Sequence, residues 1–456
     1  MTRGSGSDRA WDSRRQFLAG AAAAGTAALA GCSGLPFTGD EERQEAPVSL
    51  SADAVGSIDW PASPFPVTVP ASLADAHEAR ARGLLDDVPV EPELPNAAVA
   101  TAIGDDREHA MRRVEAETAD GWPVDALSAW RRRREDAAEV RAAYRAATGT
   151  DDGSELAARR RAVREDRASL AGDLEYRAES PTAAVLAYEP VESLLAECAR
   201  HVRPRVTYPA DPVADPFRAG EAVSGVERAS AAAADAEGLR EAYLDERGGR
   251  DGTAPRWASL VAAAEGLRGS VSRTRSTVRE RTGGEEPFAD EDLSDTVAQE
   301  LVAVAELGVG STAEDVERAT DAGEYATAVV EAGIALAECE AYRRAVDEIR
   351  DGEHREYPTE SSVRSAAERA RATVGEVVDR DDPLATRLVR PGLEIVGYVA
   401  DRIEQGYGSA RRSQAELAYA DLYASAVPAV TEFVRERLER GSVGGSEETF
   451  VSNRPA

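Results

Sequence analysis

The sequence predicts an all-α protein: an elongated antiparallel bundle, or a pair of bundles, of about nine to eleven helices behind a proline-rich extended lead-in. Three observations carry that expectation. From about residue 97 to 441 the chain is dominated by Ala, Arg, Glu and Leu, all good helix formers. Apolar residues recur at spacings of three and four, the signature of one buried helix face. Ile, Val, Phe and Tyr do not form alternating runs bounded by turns, so strands are nearly absent.

The elements follow in order. Residues 59–70, Asp59-Trp60-Pro61 with Pro64, Pro66 and Pro70, read as an extended segment along the domain surface. Within it Val67-Thr68-Val69 suits a short strand, limited by the flanking prolines. A first short helix is expected over about 72–86, separated from the main body by Pro89–Pro95. Breaks then fall at Asp120–Pro123, Asp151–Gly153, Ser180-Pro181, Pro204–Pro216, Arg247–Gly252, Gly283–Pro287, Asp351-Gly352, Pro358 and Asp382-Pro383. Ser311-Thr312-Ala313-Glu314 has the spacing of a capping box, and Pro255 and Pro383 suit a first helical turn. The stretch 283–289 is the strongest candidate for a division into halves. Leu195-Ala196-Glu197-Cys198 and Leu336-Ala337-Glu338-Cys339 match across it, but almost no identity extends outward.

The first 32 residues carry an address. Arg14-Arg15 followed by Phe17-Leu18 resembles the twin-arginine export element, with a basic end ahead of an apolar, Ala-rich stretch. Leu29-Ala30-Gly31-Cys32 is similar to a lipobox. Together they resemble the leader of an exported prokaryotic lipoprotein of haloarchaeal type. That resemblance implies a signal peptide over 1–31, cleavage before Cys32 and a lipid on the Cys32 thiol. It also implies a chain held on the extracytoplasmic face of the cell membrane. A disordered acidic tether is expected over 32–58, the helical ectodomain over 59–441, and a disordered tail over 442–456.

The charge balance excludes one class of partner. There are 84 acidic residues against 54 basic ones, a net charge of −30, and every basic residue is Arg. Nucleic acid is not an expected partner, because binding its phosphates requires a basic surface. A charge of this size repels itself in dilute buffer and is screened in molar salt, where the Debye length falls to about 3 Å. The composition resembles that of proteins from extreme halophiles. Acidic clusters such as Asp290-Glu291-Asp292 and Asp379–Asp382 are therefore expected to be solvated surface.

With Cys32 assigned to the lipid, Cys198 and Cys339 remain. Cys198 shares a stripe with Val185, Tyr188, Leu195 and Val202, and Cys339 one with Val329, Ala332, Leu336 and Val346, so both are expected to be buried. A disulfide between them and two separate thiols both remain open at this stage.

Catalytic signals are absent. No Gly-x-Ser-x-Gly elbow occurs, and no phosphate loop or Schiff base is available without Lys. Of the four histidines, His201 stands three from Cys198 and four from Glu197, which suits a shared metal. No second Glu-x-x-His element converges on it, so no metal or other cofactor is expected. His77, His109 and His354 read as ordinary core or surface residues. The runs Arg131–Arg134 and Arg159–Arg161 stand out against the acidic whole and suit contact with an anionic lipid surface or an acidic partner. The plainer reading, adopted as the expectation, is solvated helix faces paired with Glu135, Asp136, Glu139 and Glu165. Trp60, Trp122, Trp130 and Trp257 read as core anchors or helix-start plugs. The expectation is thus a non-enzymatic, lipid-anchored interaction or structural protein whose partners are the membrane and another envelope protein. The alternative is a solute- or metal-binding lipoprotein serving a transporter.

Overall fold

The structure, a computed structural model, describes Leu50 and residues 55–118, 121–151, 153–284 and 287–440. The lipobox, Arg14, Arg15, most of the tether and the tail from 442 lie outside the described residues. Among the described residues the fold is all-α, with thirteen helices. They are α1 Ala71–Asp86, α2 Ala97–Glu115, α3 Pro123–Ala147, α4 Leu156–Gly172, α5 Pro181–His201, α6 Pro216–Glu246 and α7 Gly249–Gly252. There follow α8 Trp257–Thr282, α9 Val297–Ala322, α10 Tyr325–Arg350, α11 Glu360–Val378, α12 Pro383–Glu404 and α13 Ala410–Arg440. The count exceeds nine to eleven because two breaks are slight. A single left-handed glycine, Gly323, ends α9 two residues before α10 begins, and Gly406–Ser409 separates α12 from α13. The four-residue α7 is the third addition. No described helix is long and apolar enough to cross a membrane.

Side-chain caps account for the well-placed starts. Asn96 accepts from the Ala98 and Val99 amides, Ser180 from Ala183, Thr296 from Gln299, and Asp382 from Leu384 and Ala385. The reciprocal capping box is Thr359 with Ser362, at the start of α11. The expected box at Ser311 instead lies inside α9. There the Ser311 and Thr312 hydroxyls bond back to the Leu307 and Gly308 carbonyls, one turn earlier. Pro383 opens α12 as expected. Pro255 does not open a helix: it pairs with Arg177 in a two-residue antiparallel ladder, β1 (Arg177–Ala178) with β2 (Ala254–Pro255). Val67–Val69 is no strand either: the chain bends at 65–67 between Pro64 and Pro70, and Val67 is buried in the main core.

The helices fall into two sets of six with one packing scheme. In the first set α3 packs on α1, α2 and α6, α6 also packs on α4 and α5, and α1–α2 and α4–α5 are neighbours. In the second set α10 packs on α8, α9 and α13, α13 also packs on α11 and α12, and α8–α9 and α11–α12 are neighbours. The second set adds a contact between α9 and α13. The fifth helices agree in detail: α5 and α12 each begin with proline after a capping residue and each carry an internal proline, Pro190 and Pro391. The change of set therefore falls at 247–256, whereas the glycine-rich break at 283–289 separates α8 from α9 within the second set. The four-residue match at Cys198 and Cys339 does not reflect this repeat. It places a fifth helix, α5, against a third helix, α10.

One apolar core runs through both sets and includes Tyr188, Leu239, Leu260, Leu336, Leu388 and Tyr423. Fully burying one such leucine contributes roughly 1.5–3 kcal/mol. Small residues bring the helices close. A Cβ on Gly220 of α6 would stand 2.7 Å from the Glu139 carbonyl oxygen, so only glycine fits that crossing with α3. The lead-in bridges the two sets. Val55 is buried with Val363, Val396 and Leu417 of the second, while Phe65 and Val67 enter the main core. Trp60 meets Trp122 edge-on with centroids 5.6 Å apart, and the Trp122 indole donates to the Pro61 carbonyl.

Candidate functional site

The densest polar chemistry in the described structure is a buried charge network inside the first set. It begins at Arg131, which the sequence pattern assigned to a solvated face and which is only 4% exposed. Leu127, Arg131 and Ala138 lie on one stripe of α3, and that stripe faces α6. Arg131 donates through Nη1 to Asp235 Oδ2 at 2.7 Å and through Nη2 to Glu197 Oε2 at 2.8 Å. Asp235 also holds His77 Nε2 at 2.7 Å. Glu197 accepts from Arg228 Nε at 2.7 Å, and Arg228 Nη1 donates to Glu135 Oε2 at 2.8 Å. One turn away Glu227, 3% exposed, gathers Arg80, Arg134 and Arg159 at 2.8–2.9 Å. Helices α1, α3, α4, α5 and α6 thus all send charged side chains into one cluster.

The runs at 131–134 and 159–161 are therefore partly internal. Arg131, Arg134 and Arg159 pair across helices, and Arg133 is buried under Trp130, 4.5 Å from the ring centroid. The expectation of local pairing fails because the acidic partners come from other helices, at sequence separations that periodicity does not reveal. One signal was present: a charged residue at 131, in phase with the apolar stripe of α3.

The electrostatics fix protonation. Burial raises the carboxyls of Glu197 and Glu227, but the guanidiniums around them prevail and hold both at about 2. Burial pushes the His201 imidazole down to about 3, with Arg228 next to it, so His201 is neutral near pH 7. Its 3.8 Å approach to Glu135 is then no ion pair. Glu197, whose spacing from His201 suits a shared metal, is committed to Arg131 and Arg228. No cluster of three or more metal-ligating side chains occurs among the described residues. His109 is exposed, and His354 lies in the turn after α10, where Nε2 meets Glu348 at 2.9 Å.

Cys198 and Cys339 are both buried and unbridged, so the bridge left open by the sequence is not formed. Burial pushes the two thiols up to about 11 and about 12, which keeps them protonated and inert.

The joint between the sets carries a second group of buried charges. Glu189 of α5 takes Arg387 of α12 in two bonds, at 2.8 and 3.3 Å. Three residues on, Glu192 accepts from the Tyr176 hydroxyl at 2.6 Å and from the Ala326 and Thr327 amides at 3.1 and 2.7 Å, at the first turn of α10. Burial nevertheless pushes the Glu192 carboxyl up to about 7. Arg390 of α12 stacks 5.1 Å over Trp122 and pairs with Asp125 at 3.1 Å, at the start of α3.

Comparison with known proteins follows the same division. Residues 72–251 match the family model described as a domain of unknown function, DUF8262, and residues 257–436 match another, DUF8264. No curated protein and no solved structure matches the chain. Each family match spans one set of six long helices, and the short gap between them holds β2.

Proposed function

We propose that this chain is a lipid-anchored helical protein on the outer face of a salt-adapted cell envelope. It acts there as a non-enzymatic interaction or structural component. The export and lipobox residues Arg14, Arg15 and Cys32 supply the address. The observation that carries the non-enzymatic part is the state of the buried ionisable groups. Glu197 and Glu227 are held at about 2 and paired across helices, His201 is held neutral, and both thiols are held protonated. General acid–base catalysis wants the opposite, a group poised near the working pH and open to substrate. Glu192, raised to about 7, meets the first condition but not the second: it is 2% exposed and bonded to Tyr176 and the Ala326 and Thr327 amides. Paired buried charges of this kind instead fix which helices meet, giving a rigid body with a long helical surface.

The test is the native mass of the protein extracted mildly from membranes in molar salt. The proposal expects a complex with a second envelope polypeptide. A lone protomer that turns over a substrate, or one carrying a stoichiometric solute or metal, would contradict it.

A further inference from the structure

Within a chain of net charge −30, one face concentrates positive charge. Helix α4 carries Arg160, Arg164 and Arg167 at spacings of four and three, hence on one side. The end of α5 and the loop after it carry Arg200, Arg203 and Arg205, with no acidic residue between Cys198 and Ala210. The structure places these two groups side by side. Arg167 Nε donates to the Leu195 carbonyl on α5, and Arg160 Nη2 to the Ala222 carbonyl on α6. The His201 carbonyl lies against Gly225, about one turn farther along α6. Arg164, Arg200, Arg203 and Arg205 are exposed.

Their mutual repulsion is felt locally. Burial and then Arg164 hold the Arg160 guanidinium below its ordinary range. Beside this cluster a shallow depression lined by Arg205, Phe217 and Arg218 leaves Phe217 38% exposed, and Val213 on the adjoining loop is 54% exposed. The acidic groups on the surrounding elements are Glu165 and Asp166 on α4, Asp211 and Asp215 on the loop, Glu139 and Glu221 at the depression, and Glu324 before α10, whose carboxyl feels Arg167 and Arg200.

We propose that this arginine face, with Phe217 and Val213 at its edge, docks the ectodomain on an anionic lipid surface. Charge complementarity selects the occupant, since the rest of the chain is repelled from such a surface and this face is attracted. The inference rests on the lipid-anchor reading, which holds the domain beside a bilayer. Each basic side chain near an anionic leaflet favours binding roughly fivefold at moderate ionic strength. Molar salt screens that attraction, while salts excluded from apolar surface strengthen burial of the two apolar tips.

The experiment uses the full chain with Cys32→Ser, so that no acyl chain contributes and a failure of lipidation does not bear on the outcome. Flotation with phosphatidylglycerol–phosphatidylcholine vesicles is compared with pure phosphatidylcholine, at the lowest salt at which circular dichroism retains native helix. The expected result is binding to the anionic vesicles only. Arg164→Glu with Arg203→Glu weakens it about tenfold or more at unchanged helicity. Phe217→Ser weakens the part that survives in molar salt. Equal binding to both vesicle types, or no effect of the double reversal, would overturn the proposal. So would self-association in place of vesicle binding, abolished by the same reversal, which would make the occupant a second copy.

Discussion

Glu189 and Arg387 grip each other in two hydrogen bonds across the boundary between the two six-helix sets, with side chains 13% and 7% exposed. Each comes from the proline-interrupted fifth helix of its own set. A planar guanidinium and a carboxylate in this geometry fix an orientation as well as a distance. Near this contact the Tyr423 hydroxyl donates to the Leu388 carbonyl at 2.6 Å, in the turn that Pro391 loosens.

Removing Glu189 leaves the buried Arg387 guanidinium without its bonded partner, facing only the weaker field of Glu331 and Glu394. Glu189→Ala is expected to lower the unfolding free energy by about 3–5 kcal/mol, whereas replacing both partners with apolar residues of similar volume costs much less. Denaturant unfolding of the singles and the double checks this. Additive losses would show that the two residues do not act as a pair.

Stability should depend on pH through opposed groups. Glu192 has its folded pKa raised to about 7, so its stabilising share is complete below the unfolded carboxyl pKa of about 4.5. That share is lost as pH rises through 7. Glu197 and Glu227 are depressed to about 2, so their share is present above about 4.5 and lost as pH falls through 2. His201, held at about 3 against an ordinary value near 6.5, opposes Glu192: its share is present above about 6.5 and lost as pH falls towards 3. In molar salt, thermal stability should therefore be nearly level between about pH 4.5 and 6.5 and fall on the acid side. Glu192→Gln should turn the level stretch into a rise from about pH 5 to 6.5, and a mutant that stays level there would assign the balance to other groups.

The buried thiols should be silent. Cys198 and Cys339 are expected to react with a thiol reagent only on unfolding, and peptide mapping without reductant should find them unbridged. Rapid modification of either in the native state would show that the helices covering it open readily.

Net charge sets the response to salt. With 84 acidic against 54 basic residues, raising salt from about 0.1 M to 2 M should increase the unfolding midpoint. Weakening by salt would mean that exposed pairs such as Glu108–Arg112 outweigh the repulsion. Arg131–Asp235 is too buried for salt to screen strongly.

The helical class, the first helix, most breaks and the burial of both cysteines were legible from composition and three–four spacing. These features depend on neighbours in sequence. The network was not legible, because His77, Arg131, Glu197 and Asp235 come from four helices and meet only through packing. Arg131 looked like surface because it begins a run of four arginines, and a run hides which member points inward. The internal repeat was hidden for a related reason. It is a repeat of packing partners, α3 with α6 and α10 with α13, while the only obvious sequence match joined helices of different rank. The weak breaks at Gly323 and Gly406 escaped because one glycine in a left-handed turn looks the same as a glycine tolerated inside a helix.

The central claim, a protein held at the membrane through Cys32, is tested most directly by the intact mass and N-terminal peptide of the protein purified from membranes. The account predicts a chain beginning at Cys32 with a lipid adduct on its thiol, and the unprocessed chain left inside the cell when Arg14 and Arg15 are changed to Gln. A mature chain that retains residues before Cys32, or carries an unmodified Cys32 thiol, would contradict it.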